Sequence, residues 1–175
     1  MQSDPSAART AMRMLAIFSL SGLLISRVAL ILHEFVGHGA LALAFGGEIT
    51  DYHLFLFGGG WIDFRNPGFA LWQRLSIALG GIALQLLLAG LTLLIARRRA
   101  EGSLSRFFWL GCTAALAVQA LSYLADGTNY GYGDGRLLFR LLGRDRVWVV
   151  APSSLLLVGL LLPLARAISR TAAGW

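Results

Sequence analysis

Apolar residues fill this chain in long blocks, separated by short polar interruptions. From Ala11 to Phe45 the sequence is almost continuously apolar, too long for one straight bilayer crossing and too short for two with a turn. Ser21-Gly22 offers a break, so the pattern predicts a lead-in helix before residue 21 and a long apolar helix over 21–45, ended by Gly46-Gly47. Further blocks predict apolar helices over about 70–96, 106–125 and 148–169, with Pro152 near the start of the last and Pro163 as a kink inside it. A helix of about 20 apolar residues crosses a hydrocarbon core of about 30 Å.

Two segments depart from this pattern. Residues 48–66 combine aromatic and β-branched positions with Gly58-Gly59-Gly60 and flanking Asp and Asn, which predicts a β-hairpin closed by Pro67-Gly68. Its open edges would leave backbone groups unpaired in lipid, so it should pack against protein or lie at the interface. Residues 126–135 are rich in Gly, Tyr and polar groups and cannot continue a regular helix without penalty. A short helix over 137–142 follows them. The implied fold class is an all-α transmembrane helix bundle with a small membrane-associated β-hairpin. An N-terminal tail and lead-in helix occupy 1–20, and a single multi-pass membrane domain occupies 21–175.

Composition supports this and narrows the partners. Of 175 residues, 57% are hydrophobic and only 14% charged, against about 25% charged in a soluble domain, which excludes a water-soluble fold. Arg supplies all 15 basic residues, so the formal charge of +6 is permanent. A pI near 10.7 can point to nucleic acid. Here the arginines flank apolar blocks, as at Arg97-Arg98-Arg99 and Arg166/Arg170, instead of forming one stripe. That makes membrane lipids the partner and argues against nucleic acid. The single Cys112 rules out a disulfide framework and a Cys-based zinc site.

Ionisable residues inside apolar helices are costly to place and therefore candidates for function. The first long helix carries Arg27, His33, Glu34 and His38, the last three in the run His33-Glu34-Phe35-Val36-Gly37-His38. Two imidazoles beside a carboxylate suggest Zn2+ held by His33 and His38, with Glu34 as general base toward a polarised water. Zinc-binding histidines on a helix usually stand at i and i+4. At i and i+5 they diverge by roughly 140° on an ideal α-helix. A π-bulge would realign them, and Gly37 lowers the obstacle to it. A similar six-residue run occurs in the dipeptidyl peptidase III family of zinc peptidases. The structural alternative is two histidines satisfied by neighbouring polar groups, with Glu34 paired to Arg27.

In the order of its motifs the chain resembles the site-2 protease family of intramembrane zinc metalloproteases. The His-Glu…Gly-His run is followed by the aromatic hairpin ending in Gly58-Gly59-Gly60. Next, Ala78-Leu79-Gly80-Gly81-Ile82-Ala83-Leu84-Gln85 is similar to the family's Ala-Gly-Pro-x-x-Asn helix, with Ile82 for the proline and Gln85 for the asparagine. Last, Gly133-Asp134-Gly135-Arg136-Leu137-Leu138 is similar to the Leu-Asp-Gly segment. Together these cover about residues 21–142. The resemblance implies His33, His38 and Asp134 as zinc ligands and Glu34 as general base. It departs from the family in the stretched histidine spacing and in the segment before the aspartate, where Asp126 and Asn129 replace an asparagine and a proline.

The remaining candidates stay open on sequence grounds. Asp134 could be a ligand, a turn residue or a helix N-cap, in which case Asp126 is the substitute ligand. His53 could be a fourth ligand or an interfacial polar residue. Gln85 and Asn129 are the candidate substrate-binding residues, although Gln85 could equally hydrogen-bond across helices. Tyr123, Tyr130 and Tyr132 fit an aromatic belt. The implied function is hydrolysis of a peptide bond in a transmembrane substrate by zinc-activated water, with the unwound substrate strand pairing to the hairpin. The alternative is a non-catalytic, metal-binding accessory or scaffold subunit of a larger membrane complex. The stretched spacing and compact length favour that alternative, and Glu34 argues against it.

Overall fold

The computed structural model describes residues 5–56, 58–126, 133–143 and 145–173. Helix α1 (Pro5–Ile31) passes into a π-helical segment (Leu32–Gly39) and then into α2 (Ala40–Ala44). Strands β1 (Glu48–Leu54) and β2 (Gly60–Arg65) follow, and then helices α3 (Leu71–Arg97), α4 (Leu104–Asp126), α5 (Asp134–Leu142) and α6 (Val147–Ala173). Four helical stretches are long and apolar enough to cross a membrane: Arg9–Ala44, Leu71–Arg97, Leu104–Ala125 and Val147–Ala173.

Helix α4 is the centre of the bundle, packed by α1, α3 and α6. Small residues let the backbones approach: Ala29, Ala89 and Ala117 surround Leu116, and Ala96 meets Leu110 and Leu164. Such close packing is what holds apolar helices together when their surroundings are as apolar as they are. The hydroxyls of Thr92 and Thr113 sit 2.9 Å apart between α3 and α4, buried in this interface. Leu87, Leu91 and Leu94 on α3 and Leu155, Leu156 and Leu162 on α6 point outward, so the exposed faces are greasier than the contacts.

The first helix differs from its sequence reading. No break occurs at Ser21-Gly22, and the stretch from Arg9 to Ala44 is helical for 36 residues. The Ser21 hydroxyl donates to the Phe18 carbonyl at 3.2 Å, so its polar group is satisfied within the helix. At 1.5 Å per residue this stretch is about 54 Å long, well beyond a hydrocarbon core of about 30 Å. It stops at Gly46, whose φ of 86° only glycine adopts freely. Gly46 N–H then bonds Leu43 O and Gly47 N–H bonds Ala42 O, the paired bonds of a Schellman stop.

The hairpin has the expected place in the chain and packs on protein. β1 and β2 are antiparallel, with His53 opposite Trp61 and a bulge between Ile49 and Asp51. Ile49 and Ile62 lie against Gly39 of the π segment, and Ile62 is buried. Asn66 Oδ1 accepts from the Gly68 and Phe69 amides, which turns the chain from β2 towards α3. Helix α5 begins at Asp134, earlier than the sequence reading, because Arg136 and Leu137 N–H already bond Gly133 O. Helix α6 runs through both Pro152 and Pro163.

The π segment is the local feature that the spacing of the histidines demands. Ala40 N–H donates to Phe35 O, an i to i+5 bond, which adds one residue to the turn. This segment packs backbone to backbone on α3. A Cβ on Gly37 would collide with the Gly81 and Gly80 backbone, and one on Gly80 would meet the Gly37 carbonyl. Replacing Gly37 with Ala should therefore push the two helices apart and destabilise the fold by about 1–3 kcal/mol or more. A lowered thermal unfolding midpoint in detergent is the expected result.

Candidate metal centre

Four separate parts of the chain build one site. The π segment supplies His33, Glu34 and His38, α3 supplies Gln85 and the Ile77 carbonyl, α4 supplies Tyr123, and the start of α5 supplies Asp134. His33 Nε2 lies 3.0 Å from His38 Nε2 and 2.9 Å from Asp134 Oδ2. His38 Nε2 lies 3.3 Å from Asp134 Oδ1. These three side chains are the group among the described residues that could hold a metal ion.

The far side of each ring fixes which nitrogen points inward. His38 Nδ1 is 2.6 Å from the Ile77 carbonyl, which can only accept, so Nδ1 carries the proton. Gln85 Nε2 donates to the Ala29 carbonyl, which leaves Oε1 to accept from His33 Nδ1 at 3.1 Å. In the neutral form of each ring, the one that can bind a metal, a bare Nε2 lone pair therefore turns towards the other ring and towards a carboxylate. Three electron-rich atoms at this separation repel unless a proton or a cation sits among them. Burial raises the Asp134 carboxyl, but with protons on their inner nitrogens the two histidines outweigh it by hydrogen bonding and charge and hold the carboxyl below the usual range. The third donor is thus an anion.

Glycines make the approach possible. The His33 ring lies over Gly81, where an added Cβ would sit 2.6 Å from its Nε2. Gly133 has a φ of 100°, and Gly135 lies against the Leu124 backbone with no room for a side chain. The Gly-Asp-Gly sequence thus turns the chain and clamps α5 to α4 with the Asp134 carboxylate facing the imidazoles. Glu34 is buried beside these three side chains and lines the same cavity. That cavity measures about 1440 Å³ and is mostly apolar, and Arg27, Gly59, Gln119 and Leu161 also face it.

His33, His38 and Asp134 therefore come together, with Glu34 next to them. Gln85, expected to face a substrate or to bridge helices, is wholly buried and spends its amide on His33 and Ala29. Asn129, Tyr130 and Tyr132 lie outside the described residues, as does the side chain of Asp126. His53 stands exposed on β1 against Phe55 and Trp61, apart from the group of His33, His38 and Asp134. Arg27 does not pair with Glu34 in the manner considered above. Its Nη1 donates to the carbonyls of Phe55 at 2.8 Å and Leu56 at 3.1 Å, at the hairpin tip.

Tyr123 is the site residue that the sequence reading assigned elsewhere. Its ring stacks on His33, with centroids 4.5 Å apart and planes 24° apart, and its hydroxyl reaches Gly59 of the hairpin turn. The available signal was its position on the helix that leads directly into the Asp134 loop. The chain matches no protein-family model, no curated protein and no solved structure.

Groups that hydrogen-bond the outer nitrogen of a metal-bound histidine typically tune metal affinity about 10–100-fold. Replacing Gln85 with Leu should weaken metal binding by that order, because His33 loses the acceptor that sets its tautomer. Titration of the purified protein with zinc against a competing chelator measures the change, with Asp134→Ala as the variant in which binding is lost.

Proposed function

We propose that this chain is an integral, multi-pass membrane protein and an intramembrane zinc metalloprotease of the site-2 protease kind. The observation that carries this reading is the convergence of two bare imidazole nitrogens and a carboxylate, with Glu34 alongside, in a cavity among long apolar helices. The donor set suits zinc. Ligand atoms about 2.0–2.2 Å from a tetrahedral ion stand about 3.3 Å apart, close to the three separations found here. Three protein ligands leave one position open, the pattern of catalytic and not of structural zinc.

Bound zinc would supply a Lewis acid that polarises a carbonyl and makes water acidic enough to react near neutral pH. The chain's own residues do the rest. Glu34 takes a proton from the attacking water as its oxygen bonds to the scissile carbonyl carbon. It hands that proton to the departing amine as the C–N bond breaks. His33 and His38 are held in one tautomer by Gln85 and Ile77, so neither needs to reorganise during turnover. The hairpin reaches the cavity through Gly58, Gly59 and Gly60, and its strand edges can pair with an unwound substrate segment.

Glu34 also bears on the accessory-subunit reading. The ligand group is complete without it, so a purely structural metal site gives no reason for a buried carboxylate there. Replacing Glu34 with Gln should leave stoichiometric zinc in place and lower peptide cleavage by about 10²–10⁴-fold. Chelation should abolish cleavage by the wild type, and added zinc should restore it. Full cleavage by the Gln variant would exclude the general-base role.

A further inference from the structure

The two ends of the helix bundle differ in charge. At one end Ala96, near the close of α3, packs on Leu110 near the start of α4 and on Leu164 of α6. The Phe18 ring of α1 lies 5.8 Å from that of Phe107 at the same level. Beyond these contacts the helices carry Arg9 and Arg13, Arg97-Arg98-Arg99, Arg106, and Arg166 and Arg170. All but Arg106 are exposed. Arg106 meets Glu101 at 3.1 Å, the one acid at this end among the described residues.

At the other end the signs are mixed. Glu48, Asp51 and Asp63 stand on the hairpin, with Glu48 bonded to Arg65 at 2.7 Å, while Asp134 begins α5 and Asp145 follows it. The metal centre belongs to this mixed end. About 20 residues of helix separate Arg13 from His33, and about 20 separate Arg97 from Ile77 on α3, about 30 Å in each case. That distance equals the thickness of a hydrocarbon core.

We propose that the arginine end docks on anionic phospholipid headgroups of the cytoplasmic leaflet, and that the metal centre therefore lies towards the opposite, extracytoplasmic face. This rests on the multi-pass membrane reading above. A guanidinium keeps its charge at physiological pH, so arginines at the ends of apolar helices settle among lipid phosphates, to which they donate paired hydrogen bonds. The negative potential of the cytoplasmic leaflet strengthens the attraction by about fivefold for each arginine near it. The mixed hairpin end gains little from that field, because its cations stand among carboxylates. Arginine beside membrane spans also biases insertion so that its side stays in the cytoplasm.

Sidedness is read by cysteine labelling in a Cys112→Ser background. Asp63→Cys on the hairpin and Ala100→Cys beside the arginine triplet both use exposed positions. In intact cells a membrane-impermeant maleimide should label Asp63→Cys, and should label Ala100→Cys only after the membrane is opened. The reverse pattern, or equal labelling of both from outside, overturns the proposal and leaves the membrane reading intact. Recovery of the protein in the soluble fraction overturns both. The headgroup is tested with the purified protein in neutral detergent, titrated with phosphatidylglycerol or phosphatidylcholine. The wild type should bind phosphatidylglycerol at least about tenfold more tightly. Joint replacement of Arg97, Arg98 and Arg99 by Gln should remove most of that preference, and Arg74→Gln at the hairpin end should leave it in place. Equal binding of the two lipids, or a preference that survives the triple replacement, overturns the proposal.

Discussion

Two hydrogen bonds on the outer edges of two imidazoles govern the site. The Ile77 carbonyl and the Gln85 amide each hold an Nδ1 proton, and through it they decide that Nε2 is bare. With the tautomers set in this way, the inner atoms of His33, His38 and Asp134 cannot share their space without positive charge among them. Much of the surrounding architecture follows from the need to hold those outer bonds in place. Helix α3 contributes both acceptors, two turns apart, so its position against the first helix determines the aim of both rings at once.

That position is set by the absence of side chains. Gly37, Gly80 and Gly81 bring two backbones together where any Cβ would collide, and the His33 ring fills the space above Gly81. The π segment completes the arrangement by carrying His38 round to the same side as His33. Neither device suffices alone. Without the extra residue in the turn the rings would diverge, and without the glycines α3 would stand too far off to hold them.

Much of this was legible in the sequence. The hydrophobic blocks located the long helices, the triple glycine located the hairpin, and the i to i+5 spacing of the histidines called for the π distortion that the structure contains. The misplaced break at Ser21-Gly22 has a simple origin, since a serine that bonds its own helix carbonyl looks in sequence like a loop former. The partners of Gln85, Arg27 and Tyr123 were not legible, because each depends on the relative placement of elements far apart in the chain. Gln85 meets His33 across 52 positions and Arg27 meets Phe55 across 28. Periodicity within a segment carries no record of such distances.

The bond between Arg27 and the hairpin tip has a mechanical consequence. A guanidinium cannot shed its charge at any physiological pH, so lifting the tip away from α1 would strand a permanent cation beside apolar helices. The Phe55 and Leu56 carbonyls are thereby fastened to the middle of the first helix. Arg27, Phe55 and the Gly58-Gly59-Gly60 turn all line the cavity, so one wall of it is built from this joined unit.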